Sequence, residues 1–330
     1  MPAPGEGRID CRALAGRIHQ TVSSAYPLKI ISPTAARTIF ADGSKQRLLP
    51  AVSYILSYGG GIVHGDQIRV SVRVAAPCAL MLLTQGSTKV YRNRGTHSPI
   101  SAITSSSHSP MTAKDSHPPM TAMASHPPAL DAGQTYQTLE LHVDAHALLC
   151  LLPDPVTCFE GARYNQRQAV TMHPDGSLVL LDWMTSGRMS RGERWQFDKY
   201  LSVNTVSVAR AGEGKPRLCI RDALLLERDS CAERLVGVDV FAYLLLLGPE
   251  VEGVVRVFRK DHEEQRIRPF QRARDVVQWS VSEVCEFGLQ GVAVRAACAR
   301  TEDLKVWIKE KLSALVPVVG DSAWSMYFNA

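Results

Sequence analysis

Apolar and polar residues alternate with period two through much of the chain. Ile68, Val70, Val72 and Val74 alternate with Gln67, Arg69, Ser71 and Arg73, as in a strand with one buried face. The pattern returns at Leu139, Leu141 and Val143, and at residues 178–181 after a turn at 173–177. It continues over 197–210 and 217–227, and Val277, Trp279 and Val281 favour a strand over a helix at 276–284. Gly and Pro punctuate these runs and no regular helix separates them. The chain is therefore expected to be mainly β, a large multi-stranded scaffold of helical-β or sandwich-like type.

Two segments keep helical spacing instead. Pro249 suits a first helical position, and Val251, Val254, Val255 and Phe258 then share one face, which predicts a helix over about 250–262. Thr301 is placed to cap a second helix, about 301–315, with Glu302 and Asp303 in its first turn and Leu304, Trp307, Ile308, Leu312 and Leu315 as its stripe. The apolar run 240–247 has strand length and, with the terminal helix, is a candidate partner contact.

Composition narrows the function. Of 330 residues 45% are hydrophobic, enough for a sizeable core, and no apolar run reaches the length of a membrane span. The net charge of +5 comes from scattered charges of both signs without a basic tract, which argues against nucleic acid as the main ligand. The start lacks the basic-then-apolar pattern of a secretory signal. Eight cysteines occur without C-x-x-C or metal-ligand spacing, so they read mostly as small core residues of a reduced, cytoplasmic protein. Segment 96–133 breaks the composition. It is poor in large apolar residues and holds a nine-residue near-repeat, as expected of a low-complexity loop inserted between strands. Its histidines, His108, His117 and His126, read as incidental to the repeat rather than as a weak metal site.

The stretch "GGGIVHGD" (59–66) looks like a phosphate cradle, but it lacks the Lys-hydroxyl pair of a P-loop and leads into a strand, not a helix. Its glycines are expected to serve a turn or a close backbone approach. There is no G-x-S-x-G elbow and no H-E-x-x-H. His142, Asp144 and His146 would share a strand face, which the alternation makes an exposed polar face before a metal site. The block 182–200 mixes Asp182, Arg188, Arg191, Glu193, Arg194 and Asp198 with Trp183, Trp195 and Phe197. It suits a strand pair joined by an ion-paired loop, with a protein interface as the rival reading.

Four blocks taken in order carry a resemblance: "GGGIVHGD" (59–66), "LLTQGSTKVYR" (82–92), "LLPDPVTCFEGARYNQ" (151–166) and "LLDWMTSGRMSRGERWQF" (180–197). Weaker matches follow at 237–249 and 291–312. Together they cover most of 50–315 apart from the insertion, and the chain resembles the UreD (UreH) family of urease accessory proteins, in a eukaryotic, fungal form. The resemblance implies no catalysis. It implies a β-rich scaffold, residues 21–315, that binds UreF and through it the GTPase UreG, docks on apo-urease, and passes nickel through its interior without a tightly bound cofactor.

By matching motif, Gly59, Gly60, Gly61 and Gly65 would shape a turn that Asp66 ends. Thr84, Gln85, Thr88 and Lys89 would form a polar strand end, and Asp182, Arg188 and Glu193 the charged members of the last block. Asp66, Asp182 and Glu193 offer hard oxygens, which nickel accepts but holds less tightly than imidazole or thiolate. Ion pairs of Asp182 or Glu193 with Arg188 are the competing reading. Residues 1–20 match no block and are expected to be disordered, with 316–330 as a tail. A β-rich adaptor without metal contact and a carbohydrate-active enzyme with paired carboxylates are the alternatives.

Overall fold

Strand phase decides the architecture. In β5 (Gln67–Val74) and β13 (Lys199–Val208) every second residue is buried. β6 (Cys78–Thr84), β9 (Leu148–Leu152), β12 (Ser177–Thr185) and β15 (Val240–Leu247) are instead buried at almost every position. The first group covers a core with one face, and the second is sandwiched between two layers. The computed structural model describes residues 2–35, 47–92, 134–210, 212, 214–228, 234–267 and 276–328. The near-repeat with His108, His117 and His126, and Cys231, lie outside the described residues.

Two mixed sheets result. The outer sheet has seven strands in the order β14-β13-β11-β8-β5-β1-β2, adding β1 (Glu6–Leu14), β2 (Arg17–Ser24), β8 (Thr135–Val143), β11 (Arg163–Met172) and β14 (Arg217–Glu227). The inner sheet runs β16-β17-β15-β12-β9-β6-β4-β3, adding β3 (Leu28–Ile31), β4 (Leu49–Ser57), β16 (Gln278–Glu286) and β17 (Leu289–Cys298). Short strands β7 (Thr88–Val90) and β10 (Val156–Cys158) pair in parallel beside β12. From β4 to β13 the long strands fall alternately in the inner and the outer sheet. In each sheet they pair in parallel, β5-β8-β11-β13 and β4-β6-β9-β12. That winding is the helical-β character; antiparallel β2, β3, β14 and the β15–β17 group finish the edges.

One apolar core lies between the sheets, around Val72, Leu80, Leu141, Leu149, Val170, Leu180 and Phe197. A second lies on the far face of the inner sheet, where helices cover it. Helix α1 (Glu252–Ile267) follows a short turn at Pro249–Val251 and buries Val254, Val255 and Phe258. Helix α2 (Thr301–Leu312) buries Leu304, Ile308 and Leu312, and Leu315 follows in the next turn. Phe258 meets Trp279 and Trp307 edge-to-face, and the two tryptophans meet at a tilt, with centroids 5.7 to 5.9 Å apart. No helix among the described residues is long and apolar enough to cross a membrane.

Several expectations are corrected. Residues 2–20, expected to be part of a disordered start, are ordered: β1 pairs with β2 and with β5, and Ile9 and Cys11 enter the core between the sheets. Residues 316–328 form a helical turn (Val316–Val319) and α3 (Asp321–Phe328), which seat Val319, Ala323 and Tyr327 in the second core. Thr301 is the first helical residue; extended Arg300 stands at the cap position without a side-chain cap bond. Strand β12 is buried on both faces instead of alternating. β15 is hydrogen-bonded on both edges, to β12 and β17, so 240–247 offers no free edge to a partner. β8 ends at Val143, so His142, Asp144 and His146 do not share a strand face: Asp144 receives Arg73 at 3.1 Å and His146 has φ 57° in the turn.

Candidate functional site

Inward positions of a strand normally hold apolar residues, and here a set of them does not. In β11, Gln166 and Gln168 follow Tyr164 on the buried phase; in β13, Ser202 and Asn204 follow Tyr200. Across the gap Asp182 takes the inward phase of β12 between Leu180 and Met184. Four groups donate to its carboxylate: Gln166 Nε2 at 2.9 Å and Tyr200 OH at 3.4 Å to Oδ1, Ser202 Oγ at 2.5 Å and Asn204 Nδ2 at 2.8 Å to Oδ2. Burial raises the Asp182 carboxyl above its ordinary range, and the bonds from Ser202, Asn204 and Gln166 offset part of that rise. Tyr164 OH extends the network to Gln137 at 2.8 Å and Gln166 at 3.2 Å.

Beside this network is a narrow cavity of about 20 Å³, lined among others by the buried Gln168 and Asp182 and the half-buried Thr84, Thr88, Gln137 and Asp154. That volume admits a water-sized body and excludes a sugar ring. Gln168 Oε1 is buried without a hydrogen-bond partner among the described residues, as is Asn204 Oδ1. Buried acceptors of this kind cost free energy unless something donates to them or a cation sits among them. At the outer end, Thr84 Oγ1 accepts the Asp154 N–H at 2.7 Å, and Asp154 accepts the Gly86 N–H at 2.9 Å. Burial raises the Asp154 carboxyl, against the pull of Lys305 at 3.8 Å.

A second grouping lies at the surface, where four segments line a cleft of about 810 Å³: Val63 and His64, Tyr91 and Arg92, Phe159 and Glu160, and Arg188. The glycine cluster builds one wall. Gly59, Gly60 and Gly65 have φ of 79°, 74° and 82°. Gly61 is extended, and a Cβ there would lie 2.6 Å from the Lys89 carbonyl oxygen, because Ile62 bridges to Val90. The segment is a turn clamped to β7. Asp66 closes it by accepting the Val63 N–H at 2.9 Å. Opposite, Arg188 lies 4.1 Å above the Phe159 ring, donates from Nε to Glu193 at 2.8 Å and makes a second bond through Nη2. This pairing holds the Glu193 carboxyl below its usual range.

The candidate residues thus separate into two groups. Thr84, Thr88 and Asp182 meet at the internal cavity, whereas Arg188, with Glu193 bound to it, meets the Asp66 turn around the surface cleft. Gln85 and Lys89 are exposed and line neither. Glu193 pairs with Arg188; Asp182 does not. Among the described residues no three His, Cys, Asp or Glu side chains converge as a metal site. Sequence reasoning passed over Asp154, Gln137, Gln166, Gln168, Ser202 and Asn204. The signal was present: each glutamine of β11, and Ser202 and Asn204 of β13, stands at an inward position of an alternating strand.

A sequence model described as UreD urease accessory protein matches residues 4–326. "Urease accessory protein D" of Oryza sativa subsp. japonica is 30% identical, over 97% of this chain and 94% of its own length. "Urease accessory protein 4" of Cryptococcus neoformans var. grubii is 30% identical over the same shares. "Urease accessory protein UreD" of Sorangium cellulosum is 30% identical over 97% of this chain and 83% of its own.

Proposed function

The chain belongs to the UreD family of urease accessory proteins, and from that premise we propose that it is the scaffold through which nickel reaches apo-urease. The family's role is urease maturation. On this reading the chain docks on the urease apoprotein in the cytoplasm, binds UreF and, through it, the GTPase UreG, and lets the ion pass through its interior.

The observation that carries the reading is the polar cavity inside an otherwise apolar core. Asp182, Asp154, Thr84, Thr88 and the free Gln168 oxygen supply it with oxygen donors, and no Cys or His side chain among the described residues lines it. Nickel binds such donors more weakly than nitrogen or sulfur, which suits cargo in transit. An apolar filling at these positions would stabilise the fold more than a polar one, so the polar lining is a cost that passage explains.

Co-expression of urease with the accessory proteins, with and without this chain, tests the reading. The expected result is apo-urease without it and nickel-loaded urease with it. Full nickel loading in its absence would overturn the reading. Intact loading by Asp182→Asn and Thr88→Val variants would favour an adaptor that never touches metal.

A further inference from the structure

The two outer layers of the molecule differ in charge. On the helical side the charges are paired among themselves: Arg259 with Glu283 at 2.8 Å, Arg266 with Glu263 at 3.3 Å, Arg256 with Glu252 at 3.6 Å, and Lys311 with Asp261. The outer sheet turns its solvent face outward uncovered by any described element, and that face carries arginines at the β11–β14 end. Arg163 and Arg167 of β11 and Arg221 of β14 point out, on the phase opposite Tyr164, Gln166 and Ile220. None has a carboxylate within 4.0 Å among the described residues, the distance that defines an ion pair.

These arginines surround an apolar centre. Register sets Asn165 beside Leu201 and Arg167 beside Val203, and then Leu201 opposite Leu225 and Val203 opposite Ala223. Leu225 is 51% exposed, and Leu201 and Val203 are half-buried. An apolar patch with an arginine rim has the anatomy of a protein interface, where charge on the rim sets the partner's sign. A surface of unpaired arginines calls for carboxylates opposite it.

We propose that this face of the outer sheet docks an acidic surface of the urease apoprotein, Arg163, Arg167 and Arg221 receiving its carboxylates around the Leu201–Val203–Leu225 contact. The identity of the partner rests on the function proposed above; the location and sign of the surface do not. The contact is distinct from both the internal cavity and the surface cleft.

Binding of the full chain to immobilised cognate urease apoprotein tests it, at about 50 and about 300 mM NaCl. Wild-type affinity is expected to fall with salt, and Arg163→Glu/Arg167→Glu/Arg221→Glu to weaken it by about 100-fold at low salt. Leu201→Ala/Leu225→Ala is expected to weaken it about tenfold without changing the salt dependence. Arg→Gln at the same three positions, about tenfold weaker, keeps the test valid if the triple glutamate chain fails to melt as the wild type does. If the wild type binds and both triple variants bind within about twofold of it, the surface lies elsewhere. Absence of any wild-type binding would instead overturn the urease reading itself. A wild-type dimer in sedimentation that Leu225→Glu dissolves would give the face to a second copy of this chain and overturn the proposal.

Discussion

Asp182 and Glu193 show how two carboxylates from one sequence block acquire opposite properties. Arg188 holds Glu193 below its ordinary range, so the stability this pair contributes is present above the unfolded glutamate value and is lost as pH falls through the folded one. Glu193→Gln is expected to cost about 2 kcal/mol at pH 7, and the gap to wild type should close at acid pH. Urea unfolding across the acid range reads it; a gap independent of pH would contradict the assignment. Burial raises Asp182, so its sense is reversed: its contribution is full below the unfolded carboxylate value and falls as pH rises through the folded value. Asp182→Asn should therefore gain on wild type as pH rises from acid to neutral, whereas Asp182→Ala, which takes the acceptor from Ser202 and Asn204, should be about 3 kcal/mol less stable than wild type at acid pH, by an amount that narrows as pH rises. The sequence placed Asp182 in a charged block but could not assign its partners. Gln166 and Asn204 sit 16 and 22 residues away on other strands and meet it only across the sandwich.

Whole elements were legible where one face meets water. β5 falls at the residues its alternation marks, and β13 and β14 lie within the alternating runs. β12 was legible as a strand but not as a doubly buried one, because the layer of helices that covers its far face is remote in sequence. β1 is legible only in the alternation of Ile9, Cys11 and Ala13 with Arg8, Asp10 and Arg12, since no family block marks it. The glycine turn was legible as a turn, and its clamp to β7 needed the fold. Gly61→Ala is expected to lower stability by about 3 kcal/mol and disturb the cleft wall, since its Cβ would meet the Lys89 carbonyl oxygen, the Lys89 Cβ and the Tyr91 ring. Gly214→Ala, with nothing within 4 Å, should stay within about 0.5 kcal/mol. Thermal denaturation of the pair checks this.

For the molecule as a whole, the winding of parallel strands between two sheets makes the N-terminal hairpin a closing element. β1 covers the edge of β5, and without it that edge and the core beside Val72 would be open. Removal of residues 2–24 is expected to give aggregated chain on expression; a soluble, fully stable truncation would contradict the placement of β1 and β2. The same winding brings Thr84, Thr88, Asp154 and Asp182 to one polar cavity, which the proposed function treats as part of a nickel route. The most direct test is the nickel content of urease matured with Asp182→Asn in place of wild type, with assembly of the urease–accessory complex measured on the same samples. Normal assembly with nickel per urease reduced about tenfold or more is the expected result. Normal assembly with wild-type nickel content would contradict it.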